Sequence, residues 1–155
     1  MAIKLNKSQT LGYLSVVMYR TYEVVCKKHG ITNNHMNALL CVMTYSIGHD
    51  IQYIHEDDGR FLDILMFCGV RGYKRTLRDL ARLKYLDSHL SIGRKMFYIN
   101  AKSLDLVEDF YKTFYKRLEM FRKTTEYQSE IEIIPYMVHI DLTRIFGDQF
   151  NTGIH

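Results

Sequence analysis

GYKRTLRDLARLKYL, residues 72–86, sets five arginines and lysines among four leucines. The nearby stretch YIHEDDG, residues 53–59, is acidic, so a chain with a formal net charge of only +4 has sorted its charge. On a helix, at 100° per residue, Leu77, Leu80, Ala81 and Lys84 fall on one side, with Leu83 at its margin. Arg75, Arg78 and Arg82 fall on the other within an arc of about 60°, bordered by Arg71 and Asp79. The leucines can bury while the arginines project together. The pattern predicts a helix over 72–84.

After this helix the period changes. LDSHLS (86–91) and KMFYIN (95–100) are strand-like runs joined by Ile92-Gly93-Arg94, which predicts a hairpin. From Arg71 to Lys95 eight basic residues face two acidic ones, a local +6, so the rest of the chain sums to −2. Arginines on an amphipathic helix are most often a solvated face. A basic helix followed by a basic hairpin is instead a footprint for duplex phosphates.

Upstream, Ser8 is a candidate N-cap for a helix to about Lys28, with Gly30 beyond its end. Thr32 or Asn33 can cap a second helix that Gly48 closes. HDIQYIHEDDG (49–59) reads as a polar loop with a short strand around Gln52 to Ile54, lying away from any DNA-bound face because its carboxylates repel phosphate. RFLDILMFCGV (60–70) suits a small buried helix, and Gly69 and Gly72 bracket a tight turn. Downstream, AKSLDLVEDFYKTFYKRLEMFRK (101–123) predicts a long helix, with Ser103 as its cap and an aromatic stripe through Leu106, Phe110, Phe114 and Leu118. YMVHIDLTRIFGDQF (136–150) reads as a last amphipathic helix.

The length of 155 residues fits one domain, and 47% hydrophobic residues are ample for a core. One proline and nine glycines favour long helices over a turn-rich β fold. Cys26, Cys41 and Cys68 are odd in number and form no CxxC, so reduced, buried thiols are expected, with no zinc ribbon and no disulfide framework. No apolar leader and no apolar run of ~18 residues is visible, which predicts a cytoplasmic protein with no membrane partner. His49, His55, Glu56, Asp57 and Asp58 lack a metal-ligand spacing, so an acidic surface loop is the expectation and no metal or cofactor is expected. No nucleophile elbow or phosphate-binding glycine loop appears, so no enzyme is expected.

Helix, short helix, turn, basic helix, two strands, long helix is the order of a winged helix-turn-helix. GITNNHMNALLCVMTYS (30–46) resembles the second helix of the MarR (multiple antibiotic resistance regulator) family. GYKRTLRDLARLKYLDS (72–88) resembles its recognition helix and the exit into the first wing strand. FYINAKSLDLVEDFYKTFYKRLEMF (97–121) resembles the second wing strand and the helix after it. The resemblance spans about residues 9–122. It departs from the family at Tyr85, where a glycine is usual, and in the wing, where only Arg94 matches the usual Asp-x-Arg.

The resemblance implies a mainly α, winged helix-turn-helix fold over 1–155. Its DNA-binding core would span about 31–101, with dimerisation elements at about 8–28 and 102–150. It implies a homodimeric, sequence-specific regulator of transcription on double-stranded DNA, with helix 72–84 in the major groove and a wing over 86–100. Small aromatic effectors are bound by many members of that family. The expected DNA-contacting residues are Arg71, Tyr73, Lys74, Arg75, Arg78, Arg82, Arg94 and Lys95. A winged-helix module that docks protein, as in an assembly or replication factor, is the alternative.

Overall fold

A computed structural model describes residues 3–49, 51 and 53–126. The expected helix at 136–150 lies outside the described residues. Helix α1 (Lys7–His29) begins two residues earlier than Ser8 suggested. Asn6 is its cap: Asn6 Oδ1 accepts from Gln9 N, and Gln9 Oε1 accepts from Asn6 N. This reciprocal pair satisfies two N–H groups that the helix start leaves open. Gly30 ends α1 in the left-handed region, at φ +66, where a side chain would be strained.

Helix α2 (Asn33–His49) follows after a short connection. Thr32 caps it, with Thr32 Oγ1 accepting from His35 N and His35 Nδ1 accepting from Thr32 N. Strand β2 (Tyr53–His55) comes next, one residue later than the expected Gln52–Ile54. Helix α3 (Gly59–Phe67) starts at Asp58, whose carboxylate accepts from the N–H groups of Arg60 and Phe61. Helix α4 (Tyr73–Arg82) is shorter than the expected 72–84. Lys84 stands in the left-handed region at φ +68, so the helix stops before it.

Strands β3 (Leu86–Ser91) and β4 (Arg94–Ile99) form the hairpin, and helix α5 (Ala101–Thr124) follows it. The loop is two residues, Ile92-Gly93, because Ser91 pairs with Arg94. Ser103 does not cap α5. Asn100 does, accepting from Ser103 N, while Ser103 Oγ accepts from Asn100 N. Strand β2 adds to the hairpin, giving an antiparallel sheet in the order β2-β4-β3. At the ends, a two-residue parallel ladder joins β1 (Ile3–Lys4) to β5 (Thr125–Glu126). The described residues are thus mainly helical, with five helices and a small three-stranded antiparallel sheet.

One continuous core fills the space between α2, α3, α4, the sheet and the first half of α5. Met36, Leu39, Phe61, Leu65, Leu77, Leu80, Phe97 and Val107 are fully buried in it. Burying each such side chain contributes ~1.5–3 kcal/mol. Leu14, Phe114 and Leu118 form a separate cluster where the first half of α1 packs on the second half of α5. Lys28 and His29, at the end of α1, both reach Asp109 Oδ2 on α5, at 3.0 and 2.7 Å.

The apolar run of α3 is not wholly interior. Phe61 and Leu65 are buried, but Met66 is exposed and Phe67 is 92% exposed. With 3.6 residues per turn, a nine-residue helix can present only one stripe to the core. The expectation of a small buried helix fails at its C-terminal end for that reason.

Candidate nucleic-acid interface

The turn from α3 into α4 is held by one side chain from α2. Asn34 Oδ1 accepts from Arg71 N at 2.9 Å, and Asn34 Nδ2 donates to Arg71 O at 2.9 Å and to Thr76 Oγ1 at 3.0 Å. The buried Thr76 hydroxyl turns back to the carbonyls of Arg71 and Gly72. Gly69 and Gly72 bracket the turn at φ +74 and +55, which glycine adopts without strain. The start of α4 is therefore tied to the start of α2 by a tertiary contact 37 residues long in sequence.

The far end of α4 is tied to α5. Lys102 Nζ donates to Leu83 O at 2.8 Å and sits 4.2 Å from the centre of the Tyr85 ring. Asn100 Nδ2 donates to Lys84 O at 2.9 Å. A cation at the C-terminal carbonyls also suits the helix dipole.

Between these ties, Leu77 and Leu80 are fully buried, and Lys74, Arg75, Arg78 and Arg82 are exposed. Tyr73, at the first position of α4, is half-buried and packs on the core. Arg71 is exposed on the turn before α4, and Arg94 is exposed at the start of β4 beside the half-buried Lys95. The eight expected residues thus divide between the turn and helix (six) and the hairpin (two).

The acidic loop does not lie away from this face, contrary to expectation. Arg78 Nη2 lies 3.2 Å from Glu56 Oε1, and Arg78 Nε donates to Glu56 Oε2 at 3.3 Å. Lys74 Nζ lies 3.6 Å from Asp57 Oδ1, and Arg82 Nη2 lies 3.6 Å from Asp79 Oδ1. Of the four cations on α4, only Arg75 makes no ion pair among the described residues. The cause is the third strand. Glu56 N donates to Lys95 O at 2.9 Å, so pairing of β2 with β4 carries the loop up to Lys95, near the tip of the hairpin, and against α4. Repulsion from a hypothetical ligand, which motivated the earlier expectation, cannot compete with attraction to cations already in the fold.

Asp58 and His49 also have structural partners. Tyr45 Oη donates to Asp58 Oδ2 at 2.6 Å. Burial pushes the Tyr45 hydroxyl up to about 12, and the bond to Asp58 adds to the shift. Burial alone would raise the Asp58 carboxyl, but the Tyr45 hydroxyl and the N–H groups of Phe61 and Arg60 outweigh it and hold it below its ordinary value. His49 stacks on Tyr45 with ring centres 4.1 Å apart. Among the described residues, no three His, Cys, Asp or Glu side chains gather as a metal-ligand set.

Two hollows lie on the side of α2 facing α1 and α3. An open groove of about 310 Å³ is lined by Ser15, Met18, Tyr19, Tyr22, Asn33 and Asn37. A cavity of about 220 Å³ is lined by Tyr22, Asn37, Leu40, Cys41 and Cys68, among others. They share Tyr22 and Asn37. Burial pushes the Cys41 thiol up to about 12, helped by its contact with Cys68. Cys26 and Cys41 are buried, but Cys68 is exposed, against the expectation of three buried thiols, because it ends the outward-facing turn of α3.

Sequence reasoning missed Asn34 and Glu56. No local signal marks Asn34, because its partners are remote. Glu56 carried one clue, an acidic group adjoining a chain segment long enough to reach a basic helix. No helix among the described residues is long and apolar enough to cross a membrane. No family model, curated protein or solved structure matches the chain.

Proposed function

We propose that this chain is a winged helix-turn-helix protein that binds duplex DNA as a homodimer and regulates transcription. The observation that carries the reading is the face of α4. Four cations stand on the solvent side of a helix whose leucines are fully buried, beside a hairpin bearing Arg94 and Lys95. The sheet order β2-β4-β3 behind α2, α3 and α4 supports the hairpin as a wing.

In this reading α4 enters the major groove. Arg71, Lys74, Arg75 and Arg78 sit toward its start, where helix-turn-helix proteins usually make base-edge contacts. Tyr73 anchors that start on the core. Arg82 meets phosphate, and Arg94 and Lys95 reach backbone or minor groove. Arg75 is the leading base reader because no carboxylate competes for it among the described residues. The pairs to Glu56 and Asp57 are exposed on the cation side, and such pairs are worth only ~0.2–1 kcal/mol, so phosphate can displace them.

The homodimer is supported by α1, which exposes Leu11, Tyr13, Val16 and Tyr19. Light scattering should report about twice the 18.4 kDa chain mass. The groove and cavity joined at Tyr22 are the place assigned to a small aromatic effector.

The deciding experiment selects bound sequences from random duplex DNA and then titrates variants. Arg75→Ala should weaken the selected site far more than random DNA, since a bidentate arginine–guanine contact discriminates by about 1–3 kcal/mol. Arg94→Ala should weaken both alike and make the log–log salt dependence shallower by about one per subunit. If folded Arg75→Ala and Arg78→Ala both bind the selected site like wild type, α4 is not the reader.

A further inference from the structure

The tip of the hairpin carries a residue that its turn disfavours. Ile92 and Gly93 form the whole loop, with φ of +52 and +72. Two positive φ values define the turn type that prefers Asn-Gly, and a β-branched residue is strained there. Ile92 is 100% exposed, so no packing among the described residues offsets that strain. Leu90 stands beside it at 67% exposure. Leu86, Ser88 and Leu90 share one face of β3, and Leu86 is buried in the core. Leu90, four residues further along this edge strand, is left uncovered.

The tip is also cationic. Lys95 pairs with Leu90 and Arg94 with Ser91 across the ladder, residues 88–95 contain no carboxylate, and Glu56, which adjoins Lys95 from β2, has its charge paired with Arg78. A tip that merely reversed the chain would be better served by Asn-Gly, which is both relaxed and polar. Local strain held at an exposed position is where function is sought.

We propose that Ile92, backed by Leu90, is an apolar wedge that enters the minor groove of duplex DNA and opens a base step, while Arg94 and Lys95 hold the flanking phosphates. Apolar side chains used this way kink the duplex toward the major groove. The charge of the tip favours DNA over an apolar protein surface as the occupant. The inference rests on the DNA-binding reading and adds to it that binding bends the site.

The test uses the full chain and a synthetic duplex of about 30 base pairs with a central TA step, the kind of step that unstacks most easily, labelled at its two ends for energy transfer. Wild type should bend it by ~20° or more. Ile92→Asn should bind roughly tenfold or more weakly, the loss expected for one buried isoleucine side chain, without bending. Asn accepts a positive φ, so its melting temperature should equal or exceed that of wild type, and weaker binding then cannot come from misfolding. Ile92→Gly should behave like Ile92→Asn, whereas Ile92→Met should keep the bend. Wild-type binding without a bend, or equal bending by Ile92→Asn, overturns the wedge and leaves the DNA reading intact. Failure of wild type to bind any duplex removes the DNA reading and the wedge together.

Discussion

Under the proposed DNA-binding reading, replacing Glu56 by glutamine should tighten binding, against the common rule that removing an ion pair at a site weakens it. Glu56 holds Arg78 at 3.2 Å, and the arginine side chain is 54% exposed while that of Glu56 is 12% exposed. Such a pair contributes ~0.2–1 kcal/mol, and it must open before Arg78 can reach DNA. The carboxylate also stands about one guanidinium width from any phosphate that Arg78 takes. Two like charges ~7 Å apart in water repel by roughly 0.6 kcal/mol before screening. Together these remove about 1 kcal/mol of binding free energy per subunit, or about fivefold in affinity. Glutamine keeps an oxygen that can accept from Arg78 but carries no charge. The fold should lose no more than ~1 kcal/mol. Fluorescence anisotropy with a random-sequence duplex, at several salt concentrations, reads the effect. The log–log slope should change little, because Arg78 meets the same phosphate in both proteins. Glu119→Gln makes the same change in net charge on α5, where Glu119 pairs with Arg122, and should change binding much less. If folded Glu56→Gln binds no tighter than Glu119→Gln, Arg78 does not meet DNA and the α4 reading loses its main support.

Asn34→Ala should destabilise the fold by about 1.5–3 kcal/mol, because three hydrogen bonds to Arg71 and Thr76 disappear together; thermal melting followed by circular dichroism should show it, and a loss below ~0.5 kcal/mol would mean the clamp is idle. Lys84→Gly should raise stability by ~0.5–1 kcal/mol, since relief of the left-handed strain at φ +68 exceeds the added chain entropy of glycine, and urea titration would reveal an unchanged or lower midpoint if that balance is wrong. Burial alone would raise the Asp109 carboxyl, but hydrogen bonds and charge from His29 and Lys28 hold it below its ordinary value. A depressed carboxyl stabilises the fold above its unfolded pKa of about 3.9, and this contribution fades as pH falls through the lower folded value. Asp109→Asn should therefore lower stability at pH 7 and flatten the acid side of the stability–pH curve; parallel curves for the two proteins would contradict the assignment.

Local periodicity was enough to place α1, α2, α4, the hairpin and α5, because each buries one stripe whose spacing is written in consecutive residues. Leu77 and Leu80 against Arg75, Arg78 and Arg82 is the clearest case: the amphipathic pattern alone separated core from surface. The caps shifted by a few residues, from Ser8 to Asn6 and from Ser103 to Asn100, because several polar side chains near a helix start compete for the same free N–H groups. What the sequence could not show were pairings between polar groups far apart along the chain. Asn34 meets Arg71, and Glu56 meets Arg78, only because core packing and the pairing of β2 with β4 bring their backbones together. Residue type states what a polar group can bond, and the tertiary fold selects which partner lies within reach. For the same reason the charge segregation visible at 53–59 and 72–86 became contact in space: the two segments sort apart in sequence and then attract across α4.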